Sequence, residues 1–388
     1  MGCLAFFPRL FRPLRGWAFG ITILMTALFG NYIITLFLPL LFFGKHVEWR
    51  RLMDRAISFW MMIPMTFLEF VMGVRFRVTG DLVEVDKPAL IIMNHRTRLD
   101  WMYLWSALYK MNPWLITTSK ISLKEQLKSL PGAGFGMAAS QFIFLQRNVE
   151  EDKHRLSQAI DYYIGVFGNY QILLFPEGTD KSPWTTKKSE EYAKKNGFRT
   201  LKQVIYPRTA GFLHLLEKMR RENYVSYIYD VTVAYPTNIV QSEVDLVLKG
   251  QAPKDVHFDF KKIDISNVPK SESDLNKWLN EIWMAKDERL DRYYKQPKEG
   301  RKFAPSGEGH VWEHESFRQT AVKLFSFSFW VFVVSIWSYH MFFLRFVQVT
   351  FTYFFLASTY LNWRYGGIDQ MVYGSFASWW DRRASRTV

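Results

Sequence analysis

Long apolar stretches lie toward both ends of this 388-residue chain, and shorter apolar runs alternate with polar segments between them. Residues 16–44 carry no charge and exceed the ~20 residues that span a bilayer. Residues 57–74 are apolar around a single Glu69, and residues 324–361 contain only His340 and Arg345 as ionisable cations. Because an arginine at mid-membrane costs about 2.5–3.5 kcal/mol, two segments meeting near Arg345 are favoured over one long helix. The pattern predicts membrane helices at both ends of the chain.

The middle of the chain has the pattern of a globular α/β domain. Short apolar runs predict buried strands at 89–93, 142–145, 172–175, 225–234 and 256–260. Helical spacing between and after them predicts helices at 152–167, 208–222 and 273–294. Strands that alternate with helices indicate a mostly parallel sheet flanked by helices. The predicted domains are N-terminal membrane segments in 1–76, a central domain at 77–312 that ends in a linker at 297–310, C-terminal membrane segments in 313–364, and a basic tail at 365–388.

The charge of the chain restricts its partners. A formal net charge of +14 favours an anionic partner, which could be phospholipid headgroups, a phosphorylated cofactor or nucleic acid. Nucleic acid is disfavoured because no zinc-finger, basic-zipper or RNA-recognition pattern is present. The single cysteine, Cys3, excludes an intrachain disulfide, which fits a domain facing the cytosol. Basic residues flank the first apolar stretch on both sides, so two full spans and a hairpin within one leaflet both remain open.

A histidine and an aspartate follow the first predicted strand. His95 can accept a proton near neutral pH, and a carboxylate on its far nitrogen would fix its tautomer. Five steps around a helix place two side chains on different faces. His95 and Asp100 can therefore meet only if the histidine lies in the turn after the strand and the aspartate lies in the next helix. A pair that merely satisfies a loop is an equally simple interpretation of these two residues alone.

Polar residues also follow the other predicted strands. Arg147 could clamp a phosphate, or it could be a solvated residue at a strand end. Glu177 could orient Arg147 or bind a substrate hydroxyl. Gly178 permits a positive φ, and Thr179 offers a hydroxyl and a possible helix N-cap. An ordinary β-turn would use the same residues. Lys124 could bind an anionic headgroup or a nucleotide phosphate, or it could simply be solvated. Pro236 ends another predicted strand. The histidines are too scattered to indicate a metal site.

Together, these clusters resemble a known family. The block His95-x-x-x-x-Asp100 resembles the first motif of the 1-acylglycerol-3-phosphate acyltransferase superfamily, and residues 142–147, 175–179 and 233–236 match its later motifs in order. The resemblance covers about residues 57 to 290. Within the superfamily the chain is most similar to the lysocardiolipin acyltransferase branch, on the segments 91–101, 174–180, 206–212 and 230–236.

The resemblance implies transfer of a fatty acyl group from acyl-CoA, as co-substrate, to the free hydroxyl of a lysophospholipid of the lysocardiolipin or lysophosphatidylinositol class. It implies no bound cofactor and no covalent enzyme intermediate. His95 would be the general base and Asp100 would orient it, while Arg147 with Glu177, Gly178 and Thr179 would hold the acceptor. The implied location is the endoplasmic reticulum membrane, with the catalytic domain in the cytosol. Two alternatives are an acyltransferase that makes phosphatidic acid and a catalytically silent lipid-binding membrane protein.

Overall fold

The structure, a computed structural model, describes residues 12–384, and of residues 381–384 only the backbone. Cys3 and the end of the predicted basic tail, residues 385–388, lie outside the described residues. The described chain forms two compact units. The first contains the described residues up to Ala18, Phe67–Ser119 and Tyr170–Ser316, and the second contains Phe19–Thr66, Lys120–Asn169 and the described residues from Phe317 onward. The predicted domain limits divide the chain differently and stay a prediction.

The strands are, in chain order, β1 Arg75–Gly80, β2 Ala89–Met93, β3 Ser119–Lys124, β4 Ile143–Leu145, β5 Gln171–Leu174, β6 Tyr227–Ala234, β7 Asp255–Asp264 and β8 His310–Trp312. The helices are α1 Arg12–Leu36, α2 Pro39–Phe42, α3 His46–Thr66, α4 Asp100–Met111, α5 Leu115–Thr118, α6 Ala133–Ala139, α7 Val149–Gly165, α8 Pro183–Lys195, α9 Thr209–Arg221, α10 Glu243–Lys249, α11 Glu272–Lys295, α12 Phe317–Phe343, α13 Arg345–Tyr365 and α14 Ile368–Ala384. A π-helical turn, Phe67–Val71, follows α3, and short 3₁₀ turns form at Glu125–Ser129, Ile265–Asn267 and Lys298–Gly300.

The sheet of the first unit is mixed: three of its strand pairs are parallel and two are antiparallel. Its strands lie in the order β5-β2-β6-β7-β1-β8. Strand β2 is parallel to β5 and β6, and β1 is parallel to β7, whereas β6–β7 and β1–β8 are antiparallel. Strand β7 can return antiparallel to β6 because no crossover helix is needed between antiparallel neighbours. The connection holds only the short helix α10.

Strand β2 is the best-predicted element, and its burial explains why. All five of its side chains are buried, and it lies between β5 and β6. A strand covered on both faces has a continuous apolar sequence, which is easy to recognise. The amphipathic stripe predicted at 273–294 is also confirmed, because Leu275, Leu279, Trp283 and Leu290 of α11 are buried. The α/β class is therefore confirmed for the first unit.

Three strands were missed, and each has a weak sequence signal. Strand β1 alternates arginine and apolar residues, β3 contains two lysines, and β8 has only three residues. The predicted linker at 297–310 contains a 3₁₀ turn, and its last residue begins β8. Its backbone is also held, since Ser306 and Glu308 donate their N–H groups to Asp259 and Asp81.

The second unit contains the parallel pair β3–β4 and most of the helical segments of the two chain ends. Among the described residues, two helical stretches are long and apolar enough to cross a membrane by length and composition, Arg12–Phe42 and Phe317–Phe343. The helices α12 and α13 meet at Leu344, as predicted from Arg345. Residues 57–66 of α3 are largely buried in protein, and Thr66 and Ser326 tie α3 to α12 through backbone carbonyls. The predicted basic tail, residues 365–388, contains helix α14, which extends to Ala384.

Candidate active site

The predicted histidine–aspartate pair forms. His95 lies in the turn after β2 and Asp100 is the first residue of α4, and the His95 Nδ1 atom lies 3.0 Å from Asp100 Oδ2. Because a carboxylate accepts, Nδ1 carries the proton and Nε2 is left as the basic nitrogen. His95 Nε2 has no hydrogen-bond partner in the part of the chain that the structure describes, and the side chain is 16% exposed. The predicted placement in turn and helix is confirmed.

Asp100 is fully buried and held by five donors. Its Oδ2 atom accepts from His95 Nδ1 and from the backbone N–H groups of Arg96 at 2.6 Å and Thr97 at 2.9 Å. Its Oδ1 atom accepts from the Thr97 hydroxyl at 3.1 Å and from the Tyr235 hydroxyl. Burial and the nearby carboxylate raise the pKa of Tyr235 well above its usual value, so this phenol stays a donor. The carboxylate therefore cannot rotate away from the imidazole.

Tyr235→Phe should lower kcat about 10-fold and leave KM unchanged, because one charge-assisted hydrogen bond that fixes Asp100 is removed. Steady-state kinetics with both substrates measure this split. Tyr192→Phe, which removes a phenol that is 44% exposed on α8, is the matched control. An unchanged kcat, or a loss confined to KM, would contradict a positioning role for Tyr235.

Glu177 faces the same turn from β5. Ile92 of β2 and Leu174 of β5 are partners in the parallel ladder. His95 follows Ile92 by the same number of positions as Glu177 follows Leu174, so the two residues occupy equivalent places after neighbouring strands. Glu177 Oε1 accepts from the His95 backbone N–H at 3.3 Å and from Trp283 Nε1 at 3.2 Å. Its Oε2 atom is buried and has no hydrogen-bond partner among residues 12–380. Burial raises the pKa of Glu177 to about 8, although the donors from Trp283 and His95 oppose the shift.

A cationic cavity of about 700 Å³ adjoins this turn, and we name it the Arg96 cavity. The Arg96 guanidinium donates to the Lys181 carbonyl at 3.3 Å, and the Lys181 N–H donates to the His95 carbonyl at 2.8 Å. Gln241 donates to the carbonyls of both Arg96 and Lys181, which joins the turns after β2 and β5. The residues lining the cavity are Arg96, Lys181, Ser182, Pro183, Thr186, Lys187, Glu190 and Gln241.

The other predicted site residues of the first unit have more limited roles. Gly178 has φ +70°, as its turn requires, and an added Cβ would lie 3.2 Å from the Arg208 side chain. Thr179 does not cap a helix, because α8 begins later and its N-cap is Ser182. Ser182 directly precedes the first turn of α8, whereas Thr179 does not, and Ser182 forms a capping box with Thr185. The Pro236 carbonyl accepts from the Arg301 guanidinium at 2.7 Å.

Arg147 and Lys124 belong to the second unit. Arg147 follows β4 and is exposed, with φ +67°, which is uncommon for a residue with a side chain. Asp152 stabilises this turn by accepting from the backbone N–H groups of Gln146 at 2.6 Å and Arg147 at 3.0 Å. Lys124 is exposed at the end of β3. The roles predicted for Arg147 and Lys124 stay predictions.

Several residues at the site were missed from sequence. Tyr235 lies inside the fourth motif, so its position there was the available signal. Trp283 on α11 was interpreted only as part of an apolar stripe, and nothing local to it indicates a contact with Glu177. Arg96 and Lys181 stand within or beside the first and third motifs, but lone cations carry no specific pattern.

Comparisons with known proteins identify the family of this chain. A family model described as Acyltransferase matches residues 75–236, and one described as Acyltransferase C-terminus matches residues 246–330. A Caenorhabditis elegans protein named lysophosphatidylinositol acyltransferase 10 is 60% identical over 94% of this chain and 94% of its own length. A Gallus gallus protein named lysocardiolipin acyltransferase 1 is 38% identical over 81% of this chain and 82% of its own length. A Saccharomyces cerevisiae protein named 2-acyl-1-lysophosphatidylinositol acyltransferase is 29% identical over 55% of this chain and 63% of its own length.

The matched family models and the named relatives define an acyl-transferring enzyme. The chain belongs to the acyltransferase family, and the resemblance predicted from its sequence motifs is confirmed. Its relatives named above are lysophosphatidylinositol and lysocardiolipin acyltransferases.

Proposed function

We propose that this protein transfers a fatty acyl group from acyl-CoA to the free hydroxyl of a lysophospholipid, with His95 as general base. The observation that supports this most directly is the His95–Asp100 pair, in which the imidazole is 16% exposed and its Nε2 atom has no hydrogen-bond partner among the described residues. The relatives named for lysophosphatidylinositol and lysocardiolipin support an acceptor of that class. We favour lysophosphatidylinositol, since the relative of that name is 60% identical to this chain.

In the proposed reaction the acceptor hydroxyl attacks the thioester carbon while its proton moves to His95 Nε2. Asp100 stabilises the imidazolium that forms, because its Oδ2 atom accepts from Nδ1. The C–S bond of the tetrahedral intermediate then breaks, and the CoA thiolate takes the proton back from Nε2. The products are an ester and free CoA, and no covalent enzyme intermediate or resident cofactor takes part.

The Arg96 cavity is our candidate for the acceptor phosphate. In a lysophospholipid the reacting hydroxyl lies only a few bonds from the phosphate, so the phosphate must bind close to His95. Arg96 and Lys181 are joined to the His95 turn by backbone hydrogen bonds, and Lys187 adds an exposed cation to the same cavity. We also propose that Glu177, Gly178 and Thr179 contact the glycerol and that Arg147 binds the acceptor, as the family motif implies.

We further propose that the protein is integral to the endoplasmic reticulum membrane and that its catalytic unit faces the cytosol. The two long apolar helical stretches, Arg12–Phe42 and Phe317–Phe343, support a membrane location. An acceptor with an acyl tail is itself held in a bilayer, so an enzyme attached to that bilayer meets its substrate directly.

A thiol-release assay tests the proposed function. Full-length protein reconstituted in vesicles receives acyl-CoA and one lysolipid at a time, and free CoA is measured. We expect release with lysophosphatidylinositol or lysocardiolipin. Release with lysophosphatidic acid alone would favour an enzyme that makes phosphatidic acid. No release with any lysolipid would instead favour a lipid-binding protein without catalytic activity.

A further inference from the structure

A second cationic cavity lies in the first unit, at the same edge of the sheet as His95. It has a volume of about 770 Å³, which is within the range of sites for cofactor-sized molecules. The starts of β1 and β7 and the segment after β6 contribute to its walls. We name it the Arg75 cavity. Strands β2 and β6 end at this edge, while the antiparallel β7 begins there, so both cavities open along one row of strand ends.

The Arg75 cavity has an excess of positive charge. Seven of its lining residues are Lys or Arg and four are Asp or Glu. Two arginines are already paired, Arg75 with Asp255 and Arg77 with Glu313. Arg301 donates only to carbonyl oxygens among the described residues. Three exposed lysines, Lys254, Lys298 and Lys302, have no ion-pair partner in the described chain. These cations are available to a ligand with several negative charges.

The cavity does not depend on a histidine for this charge. His257 is buried in its wall and shares a hydrogen bond with the Tyr293 hydroxyl at 2.8 Å. Burial, and next the charge of Arg77, lower the pKa of His257 to about 4. The positive charge of the cavity therefore comes from lysine and arginine and persists through neutral pH.

The strand order sets the distance between the Arg75 cavity and His95. Strand β6 separates β2 from β7, and β1 follows β7. The register pairs Ala234 of β6 with His257 of β7, and His257 with Arg77 of β1. Neighbouring strands lie ~4.8 Å apart, so the cavity is centred about 10–15 Å along the sheet edge from the β2 turn. A ligand in the Arg75 cavity can therefore reach His95 only through a long flexible arm.

We propose that the Arg75 cavity binds the 3′-phospho-ADP end of the acyl-CoA donor. This inference rests on the proposed function and adds to it the site of the donor's nucleotide. CoA has its phosphates at one end and its thioester at the other, joined by the extended pantetheine arm. That arrangement matches a phosphate-binding cavity two to three strands away from the base. Phe70 and Val74 supply an apolar side of the cavity for the adenine.

The acceptor headgroup is the competing occupant, and the geometry disfavours it. The phosphate of a lysophospholipid is close to the reacting hydroxyl, so it requires cations next to His95. The Arg96 cavity supplies such cations, whereas the Arg75 cavity is separated from His95 by the width of two to three strands. Each cavity thus fits the substrate whose phosphates lie at the corresponding distance from the reacting atoms.

The test compares acyl-CoA with acyl-dephospho-CoA, which lacks the 3′-phosphate, in full-length protein. Lys298→Gln/Lys302→Gln removes two exposed cations from the cavity. We expect the KM for acyl-CoA to rise about 5-fold to 10-fold while kcat and the KM for the lysolipid stay unchanged. In the same variant, the KM for acyl-dephospho-CoA should change by less than about 2-fold. This donor already lacks the 3′-phosphate, which is part of the contact that the variant removes. Lys270→Gln/Lys277→Gln, an equal loss of charge on exposed positions outside the cavity, is the matched control.

A complementary variant separates the two cavities. Lys187→Gln, in the Arg96 cavity, should raise the KM for the lysolipid and leave that for acyl-CoA unchanged. A Lys298/Lys302 variant that raises the KM for the lysolipid, or changes neither KM, would overturn the assignment. Calorimetric titration of CoA and dephospho-CoA into wild type and the double variant gives a readout without turnover. If the wild type releases no CoA, the proposed function fails; if it is active but the variant binds CoA as wild type does, only the nucleotide site fails.

Discussion

His95→Ala should lower kcat for acyl transfer by about 100-fold to 10,000-fold, the range that a positioned general base contributes. Without the imidazole, Asp100 cannot take the hydroxyl proton in the same geometry, because it is buried and its oxygens still accept from four donors. The assay is release of free CoA from acyl-CoA in the presence of lysophosphatidylinositol. The KM for acyl-CoA should stay within about 2-fold of wild type, since His95 would act on the acceptor hydroxyl.

The fold of the His95→Ala variant is checked separately. His95 stacks on Phe175, with ring centroids 4.1 Å apart, so the variant loses one aromatic contact. Its thermal-unfolding midpoint should remain within a few degrees of wild type, because a partly exposed ring contributes little to the core. His154→Ala, at an exposed position of α7, is the matched histidine control. A folded His95→Ala variant with wild-type kcat would remove the role proposed for His95.

The sequence predicted the centre of the first unit well because buried strands have unambiguous patterns. Strands β2, β5 and β6 were located within two residues of their observed starts, and their ends place His95, Glu177 and Tyr235 at one edge. The spacing of His95 and Asp100 also predicts their geometry, since only a turn-and-helix placement brings them together. Local pattern and local geometry were sufficient for these features.

Long-range contacts were beyond local patterns. Trp283 reaches Glu177 across 106 positions of sequence, and Tyr235 reaches Asp100 across 135. The Arg75 cavity depends on β1 and on Lys298 and Lys302, and both lysines lie in the segment that was predicted to be a linker. Strand β1 was missed because arginines alternate with its apolar residues, which is typical of a strand with one accessible face. Those cations line a cavity only once β1 and β7 have paired.

Glu177→Gln should make the protein more resistant to heat at neutral pH, and the gain should grow as the pH rises. Burial raises the pKa of Glu177 in the folded protein to about 8, from a reference value of 4.5. Below pH 4.5 the residue is protonated in both the folded and the unfolded chain, so its titration does not change the free energy of unfolding. Between pH 4.5 and 8 the unfolded chain releases the proton and the folded chain keeps it, so stability falls by up to about 1.4 kcal/mol per pH unit. Above pH 8 the folded protein also ionises and the penalty stops growing.

Glutamine has the shape of the protonated acid but does not titrate, so it removes this pH-dependent penalty. Its Oε1 atom can still accept from Trp283 Nε1 and from the His95 N–H, and its amide group replaces the protonated Oε2 atom. We therefore expect equal unfolding midpoints for the variant and the wild type near pH 4.5 and a variant midpoint several degrees higher near pH 8. Thermal unfolding in detergent at a series of pH values measures the difference.

Glu191→Gln on α8 is the matched control, because it makes the same chemical change at an exposed carboxyl. Its midpoint should follow that of the wild type at every pH. A Glu177→Gln midpoint that is lower than wild type, or an advantage that shrinks from pH 5 to pH 8, would mean that the folded protein holds Glu177 ionised. In that case the carboxylate is stabilised by its two N–H donors, and Glu177 could act only as an acceptor toward the substrate hydroxyl. The pH dependence of this one variant thus decides whether Glu177 meets its substrate as a donor or as an acceptor.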